Sequence, residues 1–282
     1  MIVVLIFLTS IYHTDKAQDT KGLLHNVLDK LEGKDHKEVK TSEDDQALID
    51  IKHDKDNDRS NVIQLNKGKT HLTTNDKKLL NKKGQKHFWA KYSKPDQLGR
   101  SEKVHALVTP QSVHNHSSSV QKRPQFKSNV GVSGEYKDGS YDTQNQTWRG
   151  HQSNNKQIHT DDYNGWLYNK SHTFAWSLGG NMETENVTLG TRDQNIGDGQ
   201  GGMSYSENKV RDAVKHNKKA RVYYVADPVY KGSELVPRGS HVRAYSVNDN
   251  GKTINLNVWV PNDQSDVKIN YKNGQWSYDK AS

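Results

Sequence analysis

The last third of the chain contains segments in which apolar and polar side chains alternate, and this pattern constrains the fold most. These segments are ARVYYVAD, HVRAYSV, KTINLNVWV and DVKINY; the turn sequence NDNG lies between the second and the third, and KNG follows the last. A period of two predicts strands with one buried face. In KTINLNVWV it places Ile254, Leu256, Val258 and Val260 on the same face. We therefore expect an antiparallel sheet.

One helix is predicted just before this sheet. In SENKVRDAVKHN, residues 206–217, an apolar stripe of Val210, Ala213 and Val214 has the i, i+3, i+4 spacing of a helix face. Ser206 is the predicted N-cap, with Glu207 in the first turn. Strands and helices in separate stretches predict an α+β fold, an antiparallel β-sheet with packed helices.

The N-terminal part of the chain has a different composition. Residues 15–84 contain no aromatic side chain and consist largely of mixed-charge runs such as KDHKEVKTSEDD. The whole chain has a mean hydropathy of −1.04. Such a segment is expected to bury little apolar surface. We predict a flexible, largely disordered polar leader over 15–84 and a folded domain over 85–282.

Residues 1–14 form an apolar segment, MIVVLIFLTSIYHT, without a charged side chain. Its apolar run is too short to cross a bilayer of about 30 Å as a helix, so no stable membrane span is expected. It is similar to the apolar region of a secretory signal, although a basic segment before it is missing. An export signal, and hence secretion, is one interpretation, and a buried N-terminal strand is the alternative.

Positive charge is concentrated in the C-terminal two thirds. Residues 85–282 hold 26 basic and 19 acidic side chains, which accounts for seven of the chain's eight excess positive charges. This distribution suits a polyanionic partner such as nucleic acid, although a solvated basic surface would look the same. The absence of cysteine excludes disulfides, thiolate metal sites and a cysteine nucleophile.

Five ordered motifs point to a specific family: YSKPDQLGR, YNKSHTFAWSLGG, ENVTLGTRDQNIG, GGMSYSENKV and VYYVADPVYKGSELVPRGSHVRAYSV. Their order and spacing resemble those of secreted streptococcal DNases, which belong to the DNA/RNA non-specific endonuclease family with a ββα-metal active site. The resemblance runs from about Phe88 to the C-terminus. It implies a ββα-metal nuclease core within the predicted domain.

The resemblance implies roles for three residues. His172 falls on the family's general base, Asn195 on its metal-binding asparagine, and Glu207 on the glutamate of its helix, which helps to orient the cation. An imidazole suits the removal of a proton from water near neutral pH. Taken singly, the three residues have simpler interpretations: a packed or capping histidine, a turn asparagine and a first-turn carboxylate.

Two basic residues are also implied. Arg192 matches an arginine that holds phosphate charge, although a structural ion pair is the alternative. Lys170 stands where the family usually has arginine, and we expect it to bind substrate more weakly because lysine lacks the planar fork.

The resemblance therefore implies a secreted endonuclease of low sequence specificity that needs one Mg²⁺ ion, with Mn²⁺ or Ca²⁺ as alternatives. It would hydrolyse DNA, or RNA as well, through contacts to the phosphate backbone and leave 5′-phosphate ends. No protein partner is predicted. The alternatives are a non-catalytic module that binds extracellular DNA and a delivered antibacterial nuclease toxin.

Overall fold

We describe the protein from a computed structural model, in which residues 45–279 are described. The chain divides into two units, 1–38 and 39–282, and all described residues belong to the second. The predicted export signal over 1–14 and the part of the leader before residue 45 lie outside the described residues. Within the described range, no helix is long and apolar enough to span a bilayer.

Strands and short helices make up the secondary structure of residues 45–279. The strands β1 to β14 are Ile63–Gln64, Trp89–Tyr92, Val104–Val108, Ser140–Asp142, Thr147–Arg149, Gln157–His159, Asn164–Trp166, Tyr168–His172, Val187–Thr191, Val222–Val229, Gly239–Ser246, Asn255–Pro261, Val267–Ile269 and Trp276–Tyr278. The α-helices α1 to α4 are Thr74–Lys83, Pro110–Asn115, Arg192–Ile196 and Gly202–His216. Short 3₁₀ helices are Asp45–Asp50, Asn66–Gly68, Trp176–Leu178 and Thr184–Asn186.

A six-stranded sheet with the order β1-β12-β11-β10-β3-β2 forms the centre of the fold, and all its pairs are antiparallel. The described residues also form four two-stranded sheets, β4-β5, β6-β7, β8-β9 and β13-β14. The predicted α+β fold with an antiparallel sheet is confirmed. Leu256, Val258 and Val260 share one buried cluster, and Ile254 packs against it, as the alternation predicts.

The central sheet is covered on both faces. Alternate residues of β10 point to opposite sides, so that Tyr224 lies in one buried cluster and Tyr223 in another. The Tyr224 cluster includes Val210 and Val214 from the predicted stripe of α4. The Tyr223 cluster includes Leu80 of α1. The central sheet therefore separates two hydrophobic cores, one on each face.

Helix α4 begins one turn earlier than predicted. Ser206 is not an N-cap but a fully buried residue inside the helix, and Gly201 occupies the cap position. A Cβ atom on Gly201 would lie 2.0 Å from the carbonyl oxygen of Ser60, and Gly202 has a φ of +53°. The paired glycines thus let the backbone start the helix against Ser60, and this early start moves Ser206 into the interior.

The prediction of a flexible leader is wrong for residues 45–84. Leu48, Leu65 and Leu80 are each only 2% exposed. Strand β1 of this segment pairs with β12 of the central sheet. Asp76, on α1, accepts a hydrogen bond of 2.9 Å from Nη1 of Arg243 on β11. The folded domain therefore begins before residue 85, because this segment covers apolar surface that the sheet would otherwise expose.

Candidate active site

A hairpin followed by two helices positions the candidate residues. His172 is the last residue of β8, which pairs with β9 so that His172 lies opposite Val187. Helix α3 follows β9 directly, because the Thr191 hydroxyl accepts a hydrogen bond of 3.0 Å from the amide of Gln194 and so caps the helix. Helix α4 comes next and carries Glu207. The order strand, strand, helix brings distant residues to one cleft.

All five residues that the resemblance singles out line the same cavity, whose volume is about 760 Å³. They are Lys170, His172, Arg192, Asn195 and Glu207. They come from β8, α3 and α4, so the cavity lies where the hairpin meets the helices.

His172 is held on several sides. Its Nδ1 atom lies 3.4 Å from Nη2 of Arg123, and its Nε2 atom lies 3.2 Å from Sδ of Met182. The ring of Phe126 stacks on the imidazole with a centroid distance of 5.0 Å. Burial, and secondly the charge of Arg123, lower the pKa of His172 to about 4. The imidazole is therefore neutral at neutral pH, which is the form that can accept a proton.

The hydrogen bond from Arg123 also defines the tautomer. A guanidinium group only donates hydrogen bonds, so Nδ1 of His172 must be the acceptor and the ring proton lies on Nε2. A hydrogen bond to the backbone of Asn181 favours the protonated ring and opposes the lowering of its pKa. The lone pair of Nδ1 is thus the basic site of this residue.

Asn195 lies on α3 and is partly exposed to the cavity. Its Oδ1 atom accepts a hydrogen bond of 3.3 Å from the hydroxyl of Ser171. An amide oxygen has two lone pairs, so the second remains for a cation. Within residues 45–279, no three His, Asp or Glu side chains are grouped so as to hold a metal ion. A sparse site of one amide oxygen and water is compatible with Mg²⁺, which keeps several waters.

Glu207 reaches the cavity from the second turn of α4. Burial raises the pKa of this carboxyl group to about 7, although the charges of Arg211 and Arg123 oppose the rise. Arg211 lies one turn further along the helix, and its Nη1 atom donates a hydrogen bond of 3.3 Å to the hydroxyl of Ser177. A carboxylate close to its titration point and open to the cleft can accept hydrogen bonds from water.

The two predicted basic residues differ in their surroundings. The guanidinium group of Arg192 lies 5.7 Å from the ring centroid of Tyr163, and among the described residues none accepts a hydrogen bond from it. The ammonium group of Lys170 lies 3.2 Å from a carboxylate oxygen of Glu135 and also donates a hydrogen bond to the carbonyl oxygen of Val130. The charge of Lys170 is therefore already compensated, and Arg192 is the better group for phosphate.

Several residues that contact His172 were not identified from the sequence. Arg123 and Phe126 come from the polar loop between α2 and β4, and Met182 comes from the loop between β8 and β9. Arg123 is exposed at the cavity mouth. The loop that carries it, SSSVQKRPQFKSN, contains no motif with a chemical meaning. The basic residues of this loop are the only feature of its sequence that could have indicated a contact with an anion.

Residues 45–84 also support this site. The amide of Gly202 donates a hydrogen bond of 2.8 Å to the carbonyl oxygen of Ser60. Gly202 is the first residue of α4, and Glu207 lies in the same helix. The turn between Asn195 and Glu207 thus packs on a segment that precedes the predicted domain boundary. This packing is a second reason to place the boundary earlier.

Comparison with known proteins supports the assignment of this fold. The profile of the DNA/RNA non-specific endonuclease family matches residues 141–248. A deoxyribonuclease from Streptococcus dysgalactiae subsp. equisimilis is 41% identical over 112 residues, which cover 40% of this chain and 33% of that protein. The chain therefore matches only about a third of the length of this curated relative.

Two solved structures are similar over longer stretches. The Sda1 nuclease, described with a bound zinc ion, is 33% identical, with a TM-score of 0.58 over 67% of this chain and 80% of that one. NucA from Streptococcus agalactiae, described with a bound magnesium ion, is 20% identical, with a TM-score of 0.55 over 78% of this chain and 87% of that one. The second similarity concerns the fold alone.

The first strand of the β8-β9 hairpin ends in the buried His172, and helix α4, which follows, carries Glu207 to the same cavity, as expected for a ββα-metal nuclease core. The order of β8, β9 and α4 corresponds to this class. The chain belongs to the DNA/RNA non-specific endonuclease family.

Proposed function

We propose that the protein is a metal-dependent endonuclease that hydrolyses phosphodiester bonds of DNA with little sequence preference. The observation that carries this proposal is that His172, Arg192, Asn195 and Glu207 line one cavity. RNA is included as a second substrate because contacts to the phosphate backbone carry no sequence code. The proposed products carry 5′-phosphate ends.

His172 is the proposed general base. Its unprotonated Nδ1 atom would take a proton from a water molecule as the water adds to phosphorus, while the bond from phosphorus to the 3′ oxygen breaks. General-base catalysis of this kind contributes about 10²–10⁴-fold. With its low pKa the neutral ring predominates at physiological pH, so Nδ1 can accept the proton, but it is a weaker base than a free imidazole.

Asn195 is the proposed ligand of a single divalent ion, for which we propose Mg²⁺. When bound, the ion would polarise the phosphate and stabilise the leaving 3′ oxygen. Ser171 would orient the Asn195 side chain through the hydrogen bond to Oδ1. Glu207 would accept hydrogen bonds from water in the cleft and keep that water ordered.

Arginine side chains would hold the substrate. Arg192 and Arg123 both line the cavity, and a guanidinium group can grip two phosphate oxygens at once. Since Arg123 donates to Nδ1 of His172, a substrate phosphate that draws Arg123 to itself would free the lone pair of the base. Lys170 would contribute mainly by keeping Glu135 neutralised beside the cleft.

Secretion is part of the proposal. It rests on the apolar, uncharged run at residues 1–14 of the sequence, which suits an export signal. The check is the distribution of nuclease activity between culture medium and cells. Activity confined to the cell interior would contradict secretion and leave the enzymatic proposal intact.

The deciding experiment uses the full chain with plasmid DNA. We expect Mg²⁺ to give linear plasmid and then short fragments, and we expect no cleavage with a chelator. A metal series then compares Mn²⁺, Ca²⁺ and Zn²⁺ with Mg²⁺. Radiolabelling of product 5′ ends by a kinase should require prior phosphatase treatment, because the ends already carry phosphate. Intact plasmid with every metal, or labelling without phosphatase, would contradict the corresponding part of the proposal.

A further inference from the structure

A second cavity of about 440 Å³ lies beside the active cleft. Its wall includes Lys86, His87 and Phe88 before β2, Gln111 on α2, and Lys218 and Arg221 between α4 and β10. We propose that this cavity binds a nucleic-acid strand that continues out of the active cleft, with phosphates on the basic side chains and an unstacked base on Phe88. The inference rests on the proposed function, because it extends the same substrate.

Charge is the first reason. The wall of this cavity contains two lysines, an arginine and two histidines but no aspartate or glutamate. Arg221 donates hydrogen bonds of 2.8 Å and 2.9 Å to the carbonyl oxygens of Lys86 and Ala220, which are neutral acceptors. Among the described residues, none forms an ion pair with Lys86, Lys218 or Arg221. The positive charges are therefore available to an anion, and Arg221 is already fixed in position.

An exposed aromatic ring is the second reason. Phe88 is 37% exposed although it is a large apolar residue. Its ring stacks on that of Phe174, with an angle of 17° between the planes, and a Cβ atom on Gly179 would lie 2.6 Å from it. The glycine thus leaves room for a ring that is supported from behind. Proteins that bind single strands combine such aromatic platforms with a basic groove.

The two cavities are neighbours, because His116 lines both. The His116 ring meets the ring of Trp176 edge to face, with a centroid distance of 4.5 Å, and Trp176 lines the active cleft. Nδ1 of His116 lies 2.8 Å from the carbonyl oxygen of Ser112, which holds the ring in place. A strand that passes the scissile position would cross these two rings before it reaches Lys86 and Lys218.

The test compares a double variant, Lys86→Ala with Lys218→Ala, against a control, Lys268→Ala with Lys272→Ala. The control removes the same charge from two exposed lysines that line neither cavity. The substrates are a long single-stranded oligonucleotide and bis(p-nitrophenyl) phosphate, which is too small to reach the second cavity. The salt dependence of kcat/KM on the oligonucleotide is measured for both variants.

We expect the cavity variant to bind the oligonucleotide more weakly and to show a smaller salt dependence. The logarithmic slope should decrease by about 0.7 for each phosphate of the single strand that a lysine no longer neutralises. Cleavage of the small substrate should be unchanged in both variants. Equal slopes and equal kcat/KM values for the cavity variant and the control would overturn the inference.

Binding separates this inference from the proposed function. Anisotropy of a labelled oligonucleotide in the presence of chelator measures the affinity of each variant for the strand without cleavage. The contribution of the second cavity to binding can therefore be tested even if no variant cleaves DNA. Phe88→Ala should reduce the difference in affinity between a normal oligonucleotide and one with abasic positions, because it removes the stacking surface. No change in that difference would show that Phe88 does not stack on a base. A circular dichroism spectrum like that of the unaltered protein serves as the folding check.

Discussion

The guanidinium group of Arg123 lies 3.4 Å from Nδ1 of His172, the atom that carries the basic lone pair. This contact joins an exposed loop residue to a histidine that is only 8% exposed. It keeps a positive charge beside the imidazole and contributes, after burial, to the low pKa of the ring. The same arginine is placed to meet a phosphate that enters the cleft.

Arg123→Ala should therefore lower kcat/KM on DNA and change the pKa of His172. We expect kcat/KM on DNA to fall by about 10²-fold, as for loss of one group that stabilises transition-state charge. The pKa of His172 should rise, because a nearby positive charge is removed, and NMR titration of the imidazole measures this. Lys122→Ala is the matched control, since Lys122 is exposed and does not line the cavity. Equal activity in the two variants would exclude a role for Arg123.

His172→Ala should abolish most turnover but preserve binding. The expected loss in kcat is about 10²–10⁴-fold, the usual contribution of a general base. DNA affinity measured with chelator should stay close to that of the unaltered protein, because arginine and lysine side chains provide the phosphate contacts. His114→Ala, at an exposed position of α2, is the control. Parallel loss of binding, cleavage and thermal stability would instead indicate a structural histidine.

The sequence predicted those features that depend on local pattern. The alternation of Leu256, Val258 and Val260 identified the buried face of β12, since side chains of a strand alternate between its two sides. Motif order indicated the residues of the cleft. Motifs cannot show partners, however, and the ion pair between Lys170 and Glu135 depends on residues that are distant in the sequence.

Residues 45–84 illustrate why the remainder could not be predicted. The buried Leu48, Leu65 and Leu80 are too far apart in the sequence to form a periodic stripe, and the charged runs of this segment resemble a solvated leader. Burial arises from long-range contacts: Leu65 packs with Trp259, and Asp76 pairs with Arg243. The Arg123 contact with His172 was missed for the same reason, because a loop of mixed polar residues has no pattern that fixes its position.

The proposed metal site predicts that loss of Asn195 changes the Mg²⁺ requirement more than loss of Ser171. Asn195→Ala should raise the Mg²⁺ concentration for half-maximal activity more than Ser171→Ala does, because Asn195 is the proposed ligand and Ser171 only orients it. Loss of an orienting partner usually weakens metal affinity by about 10–100-fold. Activity against metal concentration measures both. An unchanged requirement in Asn195→Ala would place the ion elsewhere.

The buried ion pair between Asp76 and Arg243 predicts that residues 45–84 contribute to stability. Asp76 also accepts a hydrogen bond of 2.8 Å from the hydroxyl of Tyr223 and one from the amide of Thr73. Asp76→Ala leaves the Arg243 charge unpaired, which should cost about 3–5 kcal/mol and lower Tm by roughly 10 °C. Thr73→Ala, which removes only the helix cap, should cost about 1 kcal/mol. An unchanged Tm in Asp76→Ala would mean that this segment does not pack as described.

His53 predicts a pH dependence of stability. Burial lowers its pKa, but the hydrogen bond and charge of Asp263, 2.9 Å away, and the charge of Asp58, 3.4 Å away, outweigh burial, so that the pKa is raised above 6.5. The folded protein therefore binds the proton more tightly than the unfolded chain. This stabilisation is fully present below the unfolded value and is lost as pH rises through the raised pKa.

The stability difference between the unaltered protein and His53→Gln should accordingly be largest below about pH 6.5 and shrink at higher pH. Tm measured by circular dichroism from about pH 6 to pH 9 gives this difference, and His114→Gln controls for the loss of an exposed imidazole. Asp58 also accepts a hydrogen bond of 2.6 Å from Ser60, whose carbonyl oxygen supports the start of α4. A difference that does not depend on pH would show that His53 is neutral in the folded protein and that its ion pairs do not form.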